Sequence, residues 1–415
     1  MIRRDAQKGG FEVSQRALSG LRVVEYSEFV AGPYCGRLLA GLGAEVIKVE
    51  KPGVGDKARN WGPFPQDLPH PEKSGLFLFL NMNKLGVTLN VESAQGAKIF
   101  RELVKRADVL IESNPPKEMT RLGLDYENLS KLNPSLVMTS ITPFGQTGPY
   151  RDFKGCDLIN SHMSGEAFGN PAEGVDNVEQ EPPLKTPAHT GDFMTGLSAA
   201  VCTMSAVFGR LANGTGQHID LSQQEALASV GRQELAFYLC EGTPHTRQKG
   251  RKRRGGILYP CKDGYVCIWA GPFLKALIEM IGNPDWAQTE LFQDPTLLSQ
   301  YMEEFNRLVT AWTMEHTAEE IDRAAIAKGV PCSPVRTVAE LVNDEQLAFR
   351  EFFVEIDHPV AGRLKYPGAP YKLSATPWKA ARPAPLLGEH NEQVYCQMLG
   401  YSRPDLVRMR QAGVI

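Results

Sequence analysis

Leu21-Arg22-Val23-Val24-Glu25-Tyr26 is a short apolar run rich in β-branched residues. Gly32-Pro33-Tyr34-Cys35-Gly36-Arg37-Leu38-Leu39-Ala40 follows with helical composition, and Ala44-Glu45-Val46-Ile47-Lys48-Val49-Glu50 returns as a second strand-like run. Strand, helix and strand in this order make a βαβ unit, which requires a parallel sheet. The alternation continues outward. Residues 94–107 form an amphipathic helix with Ile99, Leu103 and Val104 on one face, and 108–112 and 136–141 read as further strands. A doubly wound, Rossmann-like α/β domain is the fold this pattern specifies. The loop from Ser27 to Pro33 holds no GxGxxG. Glu50, at the end of the second strand, is therefore not read as a ribose-binding acid, which argues against NAD.

After Ser222 the pattern changes. Helical sequence through Tyr238 leads to a basic loop, Arg247 to Arg254, and then to a hairpin around Lys262-Asp263-Gly264-Tyr265. Helices follow at 272–281 and 302–314. We divide the chain into a large α/β domain (1–222), a smaller α+β domain with its linker (223–330), and a return linker with the C-terminal part of the large domain (331–415). The last segment is too short and too Pro-rich to fold alone.

Composition narrows the function. The chain has 415 residues, more than one core usually serves, with 42% hydrophobic and 22% charged residues. A net charge of -3 argues against a nucleic-acid partner. Residues 1–18 are charged without an apolar stretch, so no secretory signal is expected. Eight cysteines are scattered with no CxxC, which fits reduced thiols in a cytosol and neither a disulfide frame nor a zinc site.

Thr190-Gly191-Asp192-Phe193-Met194-Thr195-Gly196 stands out, because 17 residues without a charge run from Phe193 to Gly209. This stretch reads as a buried helix, too short and too rich in Gly, Ser and Thr for a membrane span. A carboxylate at its mouth faces the positive end of the helix, which favours the ionised, nucleophilic form. Gly191 would let a bulky substrate approach the backbone. The competing reading is an ordinary Asp N-cap.

An ordered set of motifs decides between these. Leu21 to Glu25 runs into Ala31-Gly32-Pro33 and Leu42-Gly43-Ala44-Glu45-Val46-Ile47-Lys48-Val49-Glu50. Then come Gly53-Val54-Gly55-Asp56 with Asn81-Met82-Asn83-Lys84, Arg121-Leu122-Gly123, and Gly145-Gln146-Thr147-Gly148-Pro149-Tyr150. The set ends with Gly214-Thr215-Gly216-Gln217-His218-Ile219-Asp220-Leu221-Ser222 and Pro385-Leu386-Leu387-Gly388-Glu389-His390. From about Leu18 to Gly400 this resembles family III CoA-transferases, the group of formyl-CoA transferase and carnitine CoA-transferase.

The resemblance implies an acyl-CoA donor, a carboxylic acid acceptor and coenzyme A as co-substrate, with no metal and no other cofactor. It implies that Asp192, placed between a strand after Gly155-Cys156-Asp157 and the long helix, is the covalent catalyst, with amides at the helix start stabilising oxyanions. Val30 and Ala31 would offer backbone contacts to CoA. Lys51 and Arg121 align with cations near the nucleotide, though each also reads as a solvated surface charge. Trp61 aligns with a residue bordering the acyl pocket and otherwise reads as a core tryptophan. The basic loop 247–254 is a solvated loop or a contact for anionic groups. His218 and His390 are read as structural.

α-Methylacyl-CoA racemases share this fold, and in them a histidine precedes the aspartate corresponding to Asp157. Cys156 stands there in this chain, which favours transfer over racemisation. The four-glycine run of formyl-CoA transferase is reduced to Arg254-Gly255-Gly256-Ile257, and Tyr259-Pro260-Cys261-Lys262-Asp263-Gly264 resembles the carnitine, bile-acid and benzylsuccinate branch. A succinyl-CoA donor is the reading by analogy. The family also implies an interlocked homodimer, with a heterodimer of related subunits and a non-catalytic CoA-binding subunit as alternatives.

Overall fold

The computed structural model describes residues 16–171, 177, 179–230, 233–242, 257–289, 298 and 300–415. The basic loop 247–254 and the glycines at 255 and 256 lie outside the described residues. The opening run forms β1 (Arg22–Tyr26), α1 (Ala31–Gly41) and β2 (Glu45–Glu50). Then follow α2 (Gly75–Asn81), β3 (Leu85–Thr88), α3 (Ala94–Val104), β4 (Val109–Glu112), α4 (Pro116–Arg121), α5 (Tyr126–Leu132) and β5 (Val137–Thr142). After them come α6 (Asp157–Met163), α7 (Thr190–Asn213), β6 (His218–Ser222) and α8 (Gln223–Ser229).

The six strands make one sheet in the order β3-β2-β1-β4-β5-β6, parallel throughout. This is the doubly wound order, with its reversal between β1 and β4. The pleat sends alternate side chains to opposite layers. Val24, Ile47, Val49 and Leu110 pack with Ile99, Phe100 and Leu103 of α3, whereas Val23, Val46, Val109 and Ile111 meet Cys35 and Leu39 of α1 and Ala199 and Val207 of α7. Small residues let α1 and α7 touch closely. A Cβ on Gly196 would lie 2.5 Å from the Ala31 carbonyl. The apolar stretch is thus the core helix expected. Its length and composition would also suit a membrane span, but half of its most apolar window is buried inside the fold.

The chain separates into two compact units, Met1–Asn170 with Pro182–Thr246 and Glu351–Ile415, and Pro171–Glu181 with Arg247–Arg350. In the smaller unit β7 (Ile257–Cys261) and β8 (Gly264–Ile268) form the antiparallel hairpin, and β9 (Cys332–Pro334) adds to β8 beyond the boundary at 330 read from sequence. Helices Leu274–Met280, Met302–Thr313 and Ala318–Lys328 bury Leu277, Phe305, Val309 and Ile321 against it.

Residues 351–415 close the larger unit. Phe353–His358 pairs antiparallel with Gly362–Pro367, and Val394, Tyr395, Met409 and Ile415 join the core beside β3. Sequence reading did not anticipate this hairpin, β3 or β6. β3 is only four residues with a glycine, and β6 is an edge strand carrying polar His218 and Asp220. Asp157 also proves to lead a helix, α6, rather than a strand. His218 and His390 have structural partners, Ser140 Oγ at 2.9 Å and the Gly86 N–H at 3.1 Å.

Candidate active site

Asp192 is not the N-cap of α7. His189 holds that position, and Asp192 lies in the first turn, 6% exposed. Three neighbours fix it. Gln223, at the start of α8, donates from Nε2 to Oδ1 at 3.1 Å. His189 Nδ1 lies 3.6 Å from Oδ2, an electrostatic contact longer than a hydrogen bond. The backbone N–H of Asp192 donates to Asp157 Oδ1 at 3.0 Å, so this amide is engaged and does not serve an oxyanion. Lys185 Nζ completes the group, 2.6 Å from Asp157 Oδ2.

These neighbours correct the electrostatic expectation. Burial pushes the Asp192 carboxyl above the usual aspartate range and Asp157 pushes it further, while His189 and Gln223 pull it down. The net shift is upward, because desolvation together with Asp157 outweighs the help of His189 and Gln223. Gly191 also has a role other than the one expected. A Cβ there would lie 2.5 Å from Asp157 Oδ1, 3.1 Å from Ser161 Oγ and 3.2 Å from Leu227. The space is filled by α6 and α8, so the glycine lets these helices close on Asp192 rather than admitting substrate.

Trp61 is 52% exposed and therefore no core tryptophan. Its ring centroid is 5.6 Å from that of His189 and 5.2 Å from that of Phe29, which is 4.9 Å from His189. An aromatic trio thus stands beside the carboxylate. Phe29 is held at φ 69, a conformation costing a non-glycine residue ~1–2 kcal/mol. Its N–H donates to Asp56 Oδ1 at 3.0 Å, and Asp56 pairs with buried Lys48 at 2.7 Å. Lys48 and Lys84 both bind Glu25, at 3.0 and 2.7 Å. This buried chain of charges anchors the loop after β1.

Phe29 also lines a cleft of about 550 Å³ at the C-terminal ends of β1, β2 and β4. That is the switch point where ligands of doubly wound sheets bind. Lys51 lines it and pairs with Glu92 at 3.7 Å. Arg121 reaches it through Glu118, which accepts from Arg121 Nε at 3.0 Å. Such exposed pairs contribute little, so an anionic ligand can exchange with them. Val30 and Ala31 are buried at the start of α1, next to Phe29. Glu50 is engaged by buried Arg59 at 2.7 and 2.8 Å. Among the described residues no three His, Cys, Asp or Glu side chains gather as metal ligands would.

The structure therefore joins Asp192 to Trp61 through His189, and groups Lys51 with Glu118, the partner of Arg121, in the cleft that Phe29 also lines. Sequence reasoning missed His189, Lys185 and Gln223. The His189–Asp192 spacing of three at a helix start was a usable signal, whereas Gln223 arrives from 31 residues downstream by topology alone.

Comparison with known proteins places the chain in a family. The chain is 31% identical to the succinyl-CoA–D-citramalate CoA-transferase of Chloroflexus aurantiacus over 413 residues, spanning 96% of this chain and 98% of that one. It is also 31% identical to the formyl-CoA:oxalate CoA-transferase of Streptomyces coelicolor, over 97% and 100% of the two chains. The crystal structure of a CAIB/BAIF family protein from Brucella suis superposes with a TM-score of 0.81 at 29% identity, covering 92% of this chain and 100% of that one. A family model described as CoA-transferase family III matches residues 18–391, and the chain belongs to that family.

Proposed function

We propose that Asp192 carries first the acyl group and then CoA between an acyl-CoA donor and an acceptor acid. The single observation behind this is a buried carboxylate faced by Gln223 of α8 and by His189, whose ring packs on exposed Trp61, while Asp157 of α6 braces the main chain of Asp192. A carboxylate oxygen of Asp192 attacks the thioester carbonyl, the C–S bond breaks, and CoA leaves as the thiolate. The thiolate then attacks the aspartyl carbonyl of this anhydride, releasing the donor acid and leaving an aspartyl-CoA thioester. The acceptor carboxylate attacks the same carbonyl and expels the thiolate again. Attack of the thiolate on the acceptor's carbonyl yields the new thioester and free Asp192.

In this reading the cleft at the switch point takes the nucleotide end of CoA, with Lys51 and Arg121 exchanging their carboxylates for phosphate and Val30 and Ala31 offering backbone. Trp61 borders the acyl group. Succinyl-CoA is the proposed donor, supported by the citramalate-using relative, although the formyl-CoA:oxalate relative is equally similar. The enzyme works as a homodimer in the cytosol.

Asp192→Ala should abolish transfer, and incubating wild type with succinyl-CoA and hydroxylamine should place a hydroxamate on Asp192. Near-normal turnover by Asp192→Ala would end this reading. The racemase alternative needs groups on opposite faces of an α-carbon. Cys156 supplies no imidazole, and His189 lies on the same side as Asp192 at 3.6 Å. Rapid α-deuteration of a 2-methylacyl-CoA in D2O without any acceptor acid would revive that alternative.

A further inference from the structure

We infer that His189 is a positioning residue for Asp192, facing its Oδ2 and favouring the carboxylate form that attacks. The inference rests on the reading of Asp192 as nucleophile. The loop before α7 is shaped to deliver this ring. Lys185 Nζ donates to the carbonyls of Thr186 and Ala188 while paired with Asp157. The chain is thereby wrapped around one ammonium. Ala188 is forced to φ 55, in the left-handed region, and the next residue turns its ring over the first turn of α7.

Phe29 and Trp61 then fix the ring edge-on, with centroids at 4.9 and 5.6 Å. Nδ1 is buried and, among the described residues, has no hydrogen-bond partner. Asp192 Oδ2 lies 3.6 Å from it. A ring nitrogen buried without another partner and aimed at a buried carboxylate has one electrostatic task. It favours the ionised form of a carboxyl that burial would otherwise neutralise.

The groups facing Asp192 are few. Asp157 approaches from α6 with Lys185 behind it, uncharged Gln223 approaches from α8, and His189 stands at the start of α7. Asp157 disfavours the ionised form, and His189 and Gln223 favour it. Removing the imidazole therefore raises the pH at which Asp192 ionises.

The test is the pH profile of kcat/KM for the full chain with succinyl-CoA and an acceptor acid. His189→Phe keeps a ring between Phe29 and Trp61 but loses Nδ1. Its acid limb should move to higher pH, with a loss of about tenfold on the limb per pH unit moved and recovery at high pH. His189→Asn, which restores a donor near the Nδ1 position, should return the limb toward wild type. A profile superimposable on wild type, or a uniform loss at every pH shared by both variants, would overturn the proposal. Asp192→Ala separates the two readings. If it is inactive while His189→Phe keeps the wild-type limb, only the role of His189 fails, and if it stays active the nucleophile assignment fails first.

Discussion

The main-chain N–H of Asp192 and the side chain of Asp157 are joined by a 3.0 Å hydrogen bond, so a second carboxylate braces the first through the backbone. The bond fixes where α7 begins and places a like charge beside the proposed nucleophile. Asp157 is tolerated there because Lys185 neutralises its other oxygen at 2.6 Å.

Asp157→Asn should therefore separate bracing from charge. The amide oxygen can still accept from Asp192, but the like charge is gone, so Asp192 ionises at lower pH and the acid limb of kcat/KM moves down. Lys185, only 19% exposed, loses its partner, at a cost of about 1–3 kcal/mol in unfolding free energy. A limb that moves up instead would show that Asp157 does not act on Asp192 through its charge.

Two glycines of α7 should respond oppositely to alanine. Gly191→Ala drives a Cβ to 2.5 Å from Asp157 Oδ1 and should destabilise by about 1–3 kcal/mol while lowering activity. Gly209 has nothing within 4 Å of its added Cβ, and Gly209→Ala should stabilise by up to about 1 kcal/mol from helix propensity alone. Thermal or urea unfolding of both variants checks this. Equal stabilities would mean that α6 and α8 are not closed on Gly191.

Much of this site was legible because the fold is locally encoded. β1, α1 and β2 follow from the periodicity of residues 21–50, and Asp192 from the uncharged run behind it. What stayed hidden depends on non-local geometry. The role of Gly191 is visible only once Asp157, Ser161 and Leu227 occupy its Cβ position. The direction of the Asp192 shift needed its burial, which no local pattern reports. β3 was hard to see because it is short and is covered by Pro385 and Tyr395, some 300 residues away in sequence, which respectively pack on Gly86 and donate to the Thr88 carbonyl.

Lys84 offers a test of the buried charge chain under the site. Burial lowers its ammonium from the usual lysine range to about 8, with Glu25 opposing the fall and Lys48 adding to it. Folded Lys84 gives up its proton above pH 8, while the unfolded chain keeps it until about 10.5. Between these values the unfolded state binds more protons, so stability rises with pH. The stability difference between wild type and Lys84→Met should grow in favour of wild type by about 3 kcal/mol across that window. A difference independent of pH would mean that Lys84 stays charged throughout.

The outer face of α7 bears on assembly. Leu197, Val201, Phe208 and Leu211 are 47%, 61%, 75% and 61% exposed, and their spacings of four, seven and three place them along one side of the helix. Leu239 on the helix Gln233–Glu241 is exposed as well, at 74%. A contiguous apolar stripe of this kind is costly in water and marks an interaction surface. The proposed occupant is a second copy of this chain, whose binding would tie folding to association. Apparent melting temperature should then rise with protein concentration, and wild type should sediment as a dimer. Phe208→Glu puts a charge in the middle of the stripe, far along α7 from Asp192. It should shift the sedimentation equilibrium toward monomer and lower the melting temperature most at low concentration. A wild-type chain that stays monomeric and fully active at nanomolar concentration would rule out the dimer.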